Sequence, residues 1–162
     1  GLGLYDNRLA AYPRKLRKER RVCGFGAESR GLLARGHYGN RDYRAVNPAY
    51  GTMEDFEALV REIHARGMKC MIDVVYNHTS PDSTLVREHP DFFYRKPDGK
   101  RGNKVGDWTD VVDLDYANRA LWDYQIESLC YWAQYVDGFR CDVASTVPVE
   151  FWREARAAQP IF

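Results

Sequence analysis

The alternation of helical and strand-like apolar patterns constrains the fold of this chain more than any other feature. Between Thr52 and Gly67, apolar residues recur at i, i+3, i+4 and i+7, which predicts an amphipathic helix capped at Thr52. Residues 68–75 follow as a largely apolar run, as expected of a parallel strand buried on both faces. Together with a short strand predicted at 42–46, this order predicts one βαβ unit with a right-handed crossover.

The same alternation returns in the second half of the chain. Asn118 is predicted to cap a helix that leads to a short strand at 138–142, and Pro148 to begin another helix over 149–158. The apolar stripe of the helix after Asn118 comprises Trp122, Ile126, Leu129, Ala133 and Val136. Between the two halves lies a long polar excursion, 79–116, that is rich in Pro and Gly.

The strand at 138–142 carries an arginine and a carboxylate on one face. Residues two apart in a strand point the same way, so Arg140 and Asp142 share a side with Gly138. Phe139 and Cys141 point to the other side, where they can pack against a covering layer. A cation beside a carboxylate favours its ionised form, which a nucleophile needs near neutral pH.

Four short motifs occur in order between residues 38 and 145. They are Tyr38-Gly39-Asn40-Arg41-Asp42-Tyr43 with the following 47–52, Asp73-Val74-Val75-Tyr76-Asn77-His78, Asp113-Leu114-Asp115 and Gly138-Phe139-Arg140-Cys141-Asp142-Val143-Ala144-Ser145. They resemble landmarks of the alpha-amylase family of glycoside hydrolases. In that family the third barrel strand ends in Asp-x-x-x-Asn-His and the fourth carries Gly-Phe-Arg-x-Asp-x-Ala. The resemblance runs from about residue 38 to residue 158.

The resemblance implies an α/β fold that is a fragment of a (β/α)8 TIM barrel. The chain has 162 residues, whereas a complete barrel needs roughly 250, or at least about 200. The expected part is barrel strands two to four, over 38–162, with 79–116 as the family's domain B insertion. The family's general-acid Glu and second Asp follow the fifth and seventh strands, and neither is recognisable before Phe162.

The resemblance also implies roles for five residues. Asp142 is expected to be the catalytic nucleophile, with Arg140 orienting it, although a structural ion pair is the alternative. His78 is expected to hydrogen-bond the sugar at the cleaved bond, and Tyr38 to stack on the same glucose ring. A lone His more often has a structural role, and the match of His78 to the family motif is what favours a role in sugar binding. Asp73 is expected to be structural, as a strand-start carboxylate that anchors neighbouring side chains beneath the site.

A calcium site is a further implication of the resemblance. Many family members bind Ca2+ between domain B and the barrel through the Asn of the third-strand motif and an Asp of domain B. Asn77 and Asp113 match these positions, and both offer the hard oxygen donors that Ca2+ prefers. An Asp in a loop rich in Gly and Pro is also a common turn former, so that alternative stays open.

Composition and charge exclude several other classes of protein. A hydrophobic content of 44% with four Trp and eleven Tyr fits a packed chain rather than a disordered one. The net charge of +1 offers no electrostatic case for nucleic acid, and no apolar run approaches the ~20 residues of a membrane span. The four Cys lack any Cys-x-x-Cys spacing, which favours buried thiols over a zinc site or disulfide framework. Oligomeric state and localisation have no signal in this sequence.

Residues 1–37 differ in character from the rest of the chain. They contain a dense basic run at 14–21 and no stable apolar period, so neither the first strand nor the first helix of the family is recognisable. A solvated flank, a basic binding arm and an out-of-frame junction are the three interpretations. The segment offers only Tyr5, Tyr12 and Phe25 for stacking on bases, which argues against a nucleic-acid-binding arm.

The predicted function is that of a retaining glycoside hydrolase or transglycosylase. Its expected partner is a starch-like α-glucan or a malto-oligosaccharide, with no nucleic acid and no membrane. Because a second carboxyl is missing, the chain alone is expected to be inactive. The alternative is a non-catalytic homologue that binds carbohydrate or protein, and the intact Asp142 argues against it.

Overall fold

The computed structural model describes residues 22–26, 40–106 and 108–160, and for 22–26 it describes the backbone. The elements of these residues are β1 Val22–Gly26, α1 Met53–Ala65, β2 Lys69–Val75, β3 His78–Thr79, α2 Thr84–Glu88, a 3-10 turn Pro90–Phe92, β4 Val112–Asp113, α3 Arg119–Trp132, β5 Gly138–Asp142, a 3-10 turn Ala144–Thr146, and α4 Val149–Ala158. Strand and helix alternate through most of the chain, as the pattern predicts.

A parallel sheet of three strands forms the centre of the described part, in the order β1-β2-β5. β1 pairs with β2 from Val22 opposite Lys69 to Gly26 opposite Asp73. β2 pairs with β5 from Met71 opposite Gly138 onward. Parallel neighbours require crossovers, and α1 and α3 supply the helices that precede β2 and β5.

Local capping signals account for the helix boundaries. The Thr52 side chain accepts a hydrogen bond from the Asp55 N–H, and the Asp55 side chain accepts one from the Thr52 N–H, which is the predicted capping box of α1. Asn118 caps α3 through the Ala120 N–H. Gly67 has φ of +68°, the left-handed conformation that lets the chain leave α1 and enter β2.

Two apolar clusters pack the helices against the sheet. The first lies between α1, the amino-terminal part of β2 and the carboxyl end of α3, and its buried members are Val60, Ile63, Cys70, Ile72, Trp132 and Val136. The second and larger cluster joins Val74 to α3, α4 and the polar excursion, with Leu121 and Phe151 fully buried. Burial of this apolar surface is the main force that holds the helices on the sheet.

The predicted stripe on α3 is correct in part. Trp122 and Leu129 are buried as expected, whereas Ile126 is only partly buried. The helix ends at Trp132, so the predicted stripe residues Ala133 and Val136 lie beyond it, and of these two Val136 is buried. The polar residues Gln125 and Ser128 are fully buried on the same helix instead. A stripe read from apolar residues alone therefore misses polar residues on the buried face.

The strand predicted at 42–46 is wrong, because these residues form turns and bends. The backbone carbonyl of Tyr43 accepts hydrogen bonds from Ser128 Oγ at 3.2 Å and from Trp132 Nε1 at 2.6 Å. Side chains of α3 thus satisfy a carbonyl that a strand would direct to a neighbouring strand. The apolar residues of this segment pack without joining the sheet.

The interpretation of residues 1–37 as a flank without a recognisable strand needs a correction at 22–26. These residues form β1 and pair with β2 over five positions. Gly24 and Gly26 are poor strand formers, which explains why composition gave no strand signal there. In the part of the chain that the structure describes, no helix has the length and apolar character needed to cross a membrane.

Candidate active site

An arginine between two carboxylates lies on one face of β2 and β5. Arg140 stands opposite Asp73 in the strand register, and Asp142 stands opposite Val75. Arg140 Nη1 donates to Asp73 Oδ2 at 2.6 Å, and Nη2 donates to Asp142 Oδ1 at 3.0 Å. The strand parity predicted for 138–142 is therefore observed, with the cation and the carboxylate on one side.

The three side chains differ in depth. Asp73 is 10% exposed, Asp142 is 28% exposed and Arg140 is 34% exposed. Asp73 is the fifth of seven residues in β2, so its description as a strand-start residue is wrong. Its carboxylate lies below the more exposed Asp142, on the other side of the guanidinium, where it can fix the orientation of Arg140.

The opposite face of β5 packs into the protein, as the parity predicts. Phe139 and Cys141 are partly buried against the core clusters. Burial raises the pKa of the Cys141 thiol to about 12, and the nearby Asp73 carboxylate adds to the increase. Cys141 is therefore a protonated thiol at neutral pH. Among the described cysteines Cys70 is buried, as expected, whereas Cys130 and Cys141 are only partly buried.

Val143, directly after Asp142, has a left-handed backbone. Its φ is +45° and its ψ is +35°, which is unfavourable for a β-branched residue. This conformation turns the chain sharply from β5 into the 3-10 turn Ala144–Thr146. Strained residues of this kind cluster at functional sites, and nothing in the amino-acid type of Val143 indicated it.

His78, Asn77 and Asp113 come together where β2 ends and the excursion begins. Asn77 Nδ2 lies 3.3 Å from Asp113 Oδ1 and 3.2 Å from His78 Nδ1, and all three residues are buried. His78 also stands opposite Asp113 in the antiparallel pair of β3 and β4. The backbone N–H of Lys104 donates to Asp113 Oδ2 at 2.7 Å.

Buried tyrosines hold the segment that carries Asn77 and His78. The Tyr43 hydroxyl donates to the carbonyls of Val75 and His78 at 2.9 and 3.1 Å, and the Tyr116 hydroxyl donates to the carbonyl of Tyr76 at 2.8 Å. Burial raises the pKa of Tyr43 and of Tyr116 well above the ordinary value, so both remain protonated donors. These hydrogen bonds fix the backbone beside the site.

The side chains of Asn77 and Asp113 provide part of what a calcium ion needs as ligands. The Asp113 carboxylate and the Asn77 amide are adjacent, and each can supply one hard oxygen ligand. The amide presents its nitrogen to Asp113, so Asn77 would have to rotate to offer its oxygen. Ca2+ takes about six to eight oxygen ligands. The described residues contain no group of three or more His, Cys, Asp or Glu placed to hold a metal ion, so backbone oxygens would supply much of the shell.

Trp108 is a residue of this region that sequence reasoning missed. Its ring and the His78 imidazole form an edge-to-face pair with centroids 5.4 Å apart and an interplanar angle of 76°. Its position in the polar excursion, five residues before Asp113, was the only available signal. Tyr38, the predicted stacking residue, lies outside the described residues.

A groove of about 580 Å³ begins two residues after Asp142 and is lined by residues 144–149 and Trp152. It follows the turn at Val143, and Asp142 itself is not part of its lining. The Asp142 carboxylate and this groove therefore lie on successive parts of the same strand-to-helix connection.

Parallel strands that alternate with helices, with charged side chains at the carboxyl ends of the strands, are typical of (β/α)8 barrel enzymes. A family profile described as the alpha amylase catalytic domain matches residues 33–110. The chain belongs to the alpha-amylase family, and its fold is a fragment of that family's (β/α)8 barrel.

Solved structures and curated relatives agree with this family. An alpha-amylase from Lactobacillus plantarum is 51% identical with a TM-score of 0.78, over 84% of this chain and 34% of that one. A maltogenic alpha-amylase from Thermotoga neapolitana is 35% identical with a TM-score of 0.78, over 90% and 36%. An alpha-1,4-glucan:maltose-1-phosphate maltosyltransferase from Myxococcus xanthus is 33% identical, over 73% of this chain and 19% of the relative. The chain thus spans about a third or less of the relatives it matches.

Proposed function

We propose that this chain is part of a retaining glycoside hydrolase or transglycosylase that acts on α-glucosidic bonds of starch-like glucans or malto-oligosaccharides. The observation that carries the proposal is the hydrogen-bonded arrangement of Asp73, Arg140 and Asp142 at the carboxyl end of two parallel strands. The similar proteins named above are hydrolases and transferases of glucans by their descriptions, which supports the substrate class.

Asp142 is the nucleophile in this proposal. Its carboxylate oxygen attacks the anomeric carbon of a glucose unit, the glycosidic carbon–oxygen bond breaks, and a covalent glycosyl-enzyme forms. Water or the hydroxyl of another sugar then attacks the same carbon and releases Asp142. Arg140 holds the attacking carboxylate in place through Nη2, while Asp73 holds Arg140 through Nη1.

The leaving oxygen must receive a proton from a second carboxyl group. Retaining enzymes place the two carboxyls about 5–5.5 Å apart. By the resemblance, that acid is a Glu after the fifth barrel strand, outside the strands to which this chain corresponds. General-acid assistance contributes about 10²–10⁴-fold, so we expect the 162-residue chain alone to hydrolyse maltoheptaose negligibly.

Trapping the covalent intermediate tests the role of Asp142. The full-length protein is incubated with a 5-fluoro-glucosyl fluoride, digested and analysed by mass spectrometry. The expected result is a 5-fluoroglucosyl ester on the peptide that contains Asp142, formed with release of the anomeric fluoride and absent from the Asp142→Asn variant. Glucan cleavage without such an adduct, or an adduct on another residue, would contradict the proposal. Binding of maltoheptaose without cleavage would favour the non-catalytic alternative.

We also propose that Asn77 and Asp113 contribute to a Ca2+ site in the full-length protein. The adjacency of the amide and the buried carboxylate supports this proposal. Bound Ca2+ would supply charge that tethers the excursion to the end of β2. The residues of this chain contribute by fixing that junction, which carries His78.

A further inference from the structure

We infer that Trp108 forms a second sugar-binding platform, on which one glucose unit of a linear α-glucan stacks beside the unit contacted by His78. The inference rests on the proposed function, because it adds a specificity-determining residue to the same site. The observation that carries it is the edge-to-face contact between a partly exposed indole and the His78 imidazole.

A purely structural role for Trp108 fits the packing poorly. Among the described residues, neither apolar cluster includes Trp108, whereas Trp122 and Trp132 are buried members and Trp152 packs against the larger cluster. Trp108 is only partly buried and has the edge-to-face contact with His78, so we infer that the accessible part of the indole receives a ligand. The CH-rich face of a pyranose is an apolar surface that matches an aromatic ring.

The loop that carries Trp108 is fixed at its base. The Asp113 N–H donates to the Gly102 carbonyl at 2.9 Å, and the Asp113 carboxylate accepts from the Lys104 N–H. The Trp108 N–H donates to the Val105 carbonyl at 3.2 Å within the loop. These hydrogen bonds hold the loop against β4, opposite His78. Because folding already orders the loop, less conformational entropy is lost when a sugar binds to the indole.

Binding of maltoheptaose to the full-length protein tests the inference. Asp142→Asn serves as the parent for calorimetry, because it prevents turnover. Trp108→Leu should weaken binding about 10-fold, while Trp108→Phe, which keeps an aromatic face, should weaken it less than about 3-fold. Tyr135→Leu is the matched control, because Tyr135 is a partly buried aromatic just after α3 and before the amino end of β5. We expect that variant to bind like the parent.

Oxidation of the Asp142→Asn parent by N-bromosuccinimide provides a second measurement, which does not depend on the folding of a Trp108 variant. Maltoheptaose should slow the modification of Trp108, followed by peptide mapping, at least about 5-fold. Suppose that the Asp142→Asn parent binds maltoheptaose. If Trp108→Leu then binds it equally well, or if maltoheptaose does not protect Trp108 from oxidation, the assignment of Trp108 alone is overturned. A parent that does not bind maltoheptaose overturns the proposed function, and the platform with it.

Discussion

Replacing Arg140 by Met should destabilise the fold through the loss of the contact with Asp73. The two side chains are joined by a hydrogen bond of 2.6 Å, and Asp73 is 10% exposed whereas Arg140 is 34% exposed. Breaking a fully buried ion pair costs about 3–5 kcal/mol, and an exposed pair is worth about 0–1 kcal/mol. Because the exposure of this pair lies between these two cases, we expect the free energy of unfolding to fall by about 2 kcal/mol.

Urea unfolding followed by tryptophan fluorescence gives the required free energies for Arg140→Met, Asp73→Asn and the double variant. The double variant should lose about 1–2 kcal/mol less than the sum of the single variants, because the two residues interact directly. Arg61→Met is the control, since Arg61 makes a 3.7 Å pair with Glu57 and is 70% exposed. That control should cost at most about 0.5 kcal/mol. A coupling of Arg140 to Asp73 below about 0.5 kcal/mol would refute the reasoning.

Three further predictions concern Tyr43 and Asp113, which lie near the candidate site, and Asp137, which lies at the amino-terminal end of the sheet. Tyr43→Phe removes the hydroxyl donor to two backbone carbonyls beside Asn77 and should cost about 1–3 kcal/mol in urea unfolding; an unchanged midpoint would contradict this role. Burial alone would raise the pKa of Asp137, but hydrogen bonds from Lys69, the Cys70 N–H and His64 outweigh it and lower the pKa from 3.8 to about 2. The ionised Asp137 carboxylate therefore stabilises the fold above about pH 4, and this stabilisation is lost as the pH falls towards 2. The Asp137→Asn variant should be less stable than the native chain by about 1 kcal/mol at pH 6. The difference should become progressively smaller in acid. Equal differences at pH 6 and pH 3 would refute it. Ca2+ should raise the melting temperature of the full-length protein, EDTA should reverse the increase, and Asp113→Asn should abolish it; an unchanged response of that variant would exclude Asp113 as a ligand.

The helices could be predicted from the sequence because their signals are local. Thr52 and Asp55 form a capping box within one turn, and α4 begins directly after Pro148 as predicted. Such contacts depend on neighbours three or four residues away, which a sequence shows directly. The amino-terminal boundaries of α1, α3 and α4 therefore required no knowledge of the tertiary structure, whereas α3 ends at Trp132, before the predicted stripe ends at Val136.

The errors arose where distant contacts decide the backbone. The strand expected at 42–46 does not form because Trp132 and Ser128, more than eighty residues away, bond the Tyr43 carbonyl. The strand at 22–26 forms despite its glycines because β2 offers a parallel edge of matching length. Neither contact can be recognised from the spacing of the apolar residues nearby in the sequence.

The candidate site could be predicted in its chemistry and only partly in its geometry. The motif placed Arg140 and Asp142 on one face of a strand, and the structure shows that face. The contact between Trp108 and His78 was not predictable, because it depends on the path of a loop that has no periodicity. The role of Asp142 is a prediction that the trapping experiment tests, and the roles of His78 and Tyr38 in sugar binding are predictions from the resemblance.

The packing of the sheet is what sets the geometry of the candidate site. Cys70, Ile72 and Val74 alternate along β2 towards the helices, and Phe139 and Cys141 do the same along β5. A slip of one residue between the strands would turn these apolar side chains away from the helices and would carry Arg140 into the apolar layer. The register that buries the apolar side chains is thus the same register that sets Arg140 opposite Asp73. The position of Asp142, two residues further along β5, follows from that alignment, so substitutions that loosen the apolar layer should disturb the carboxylates without touching them.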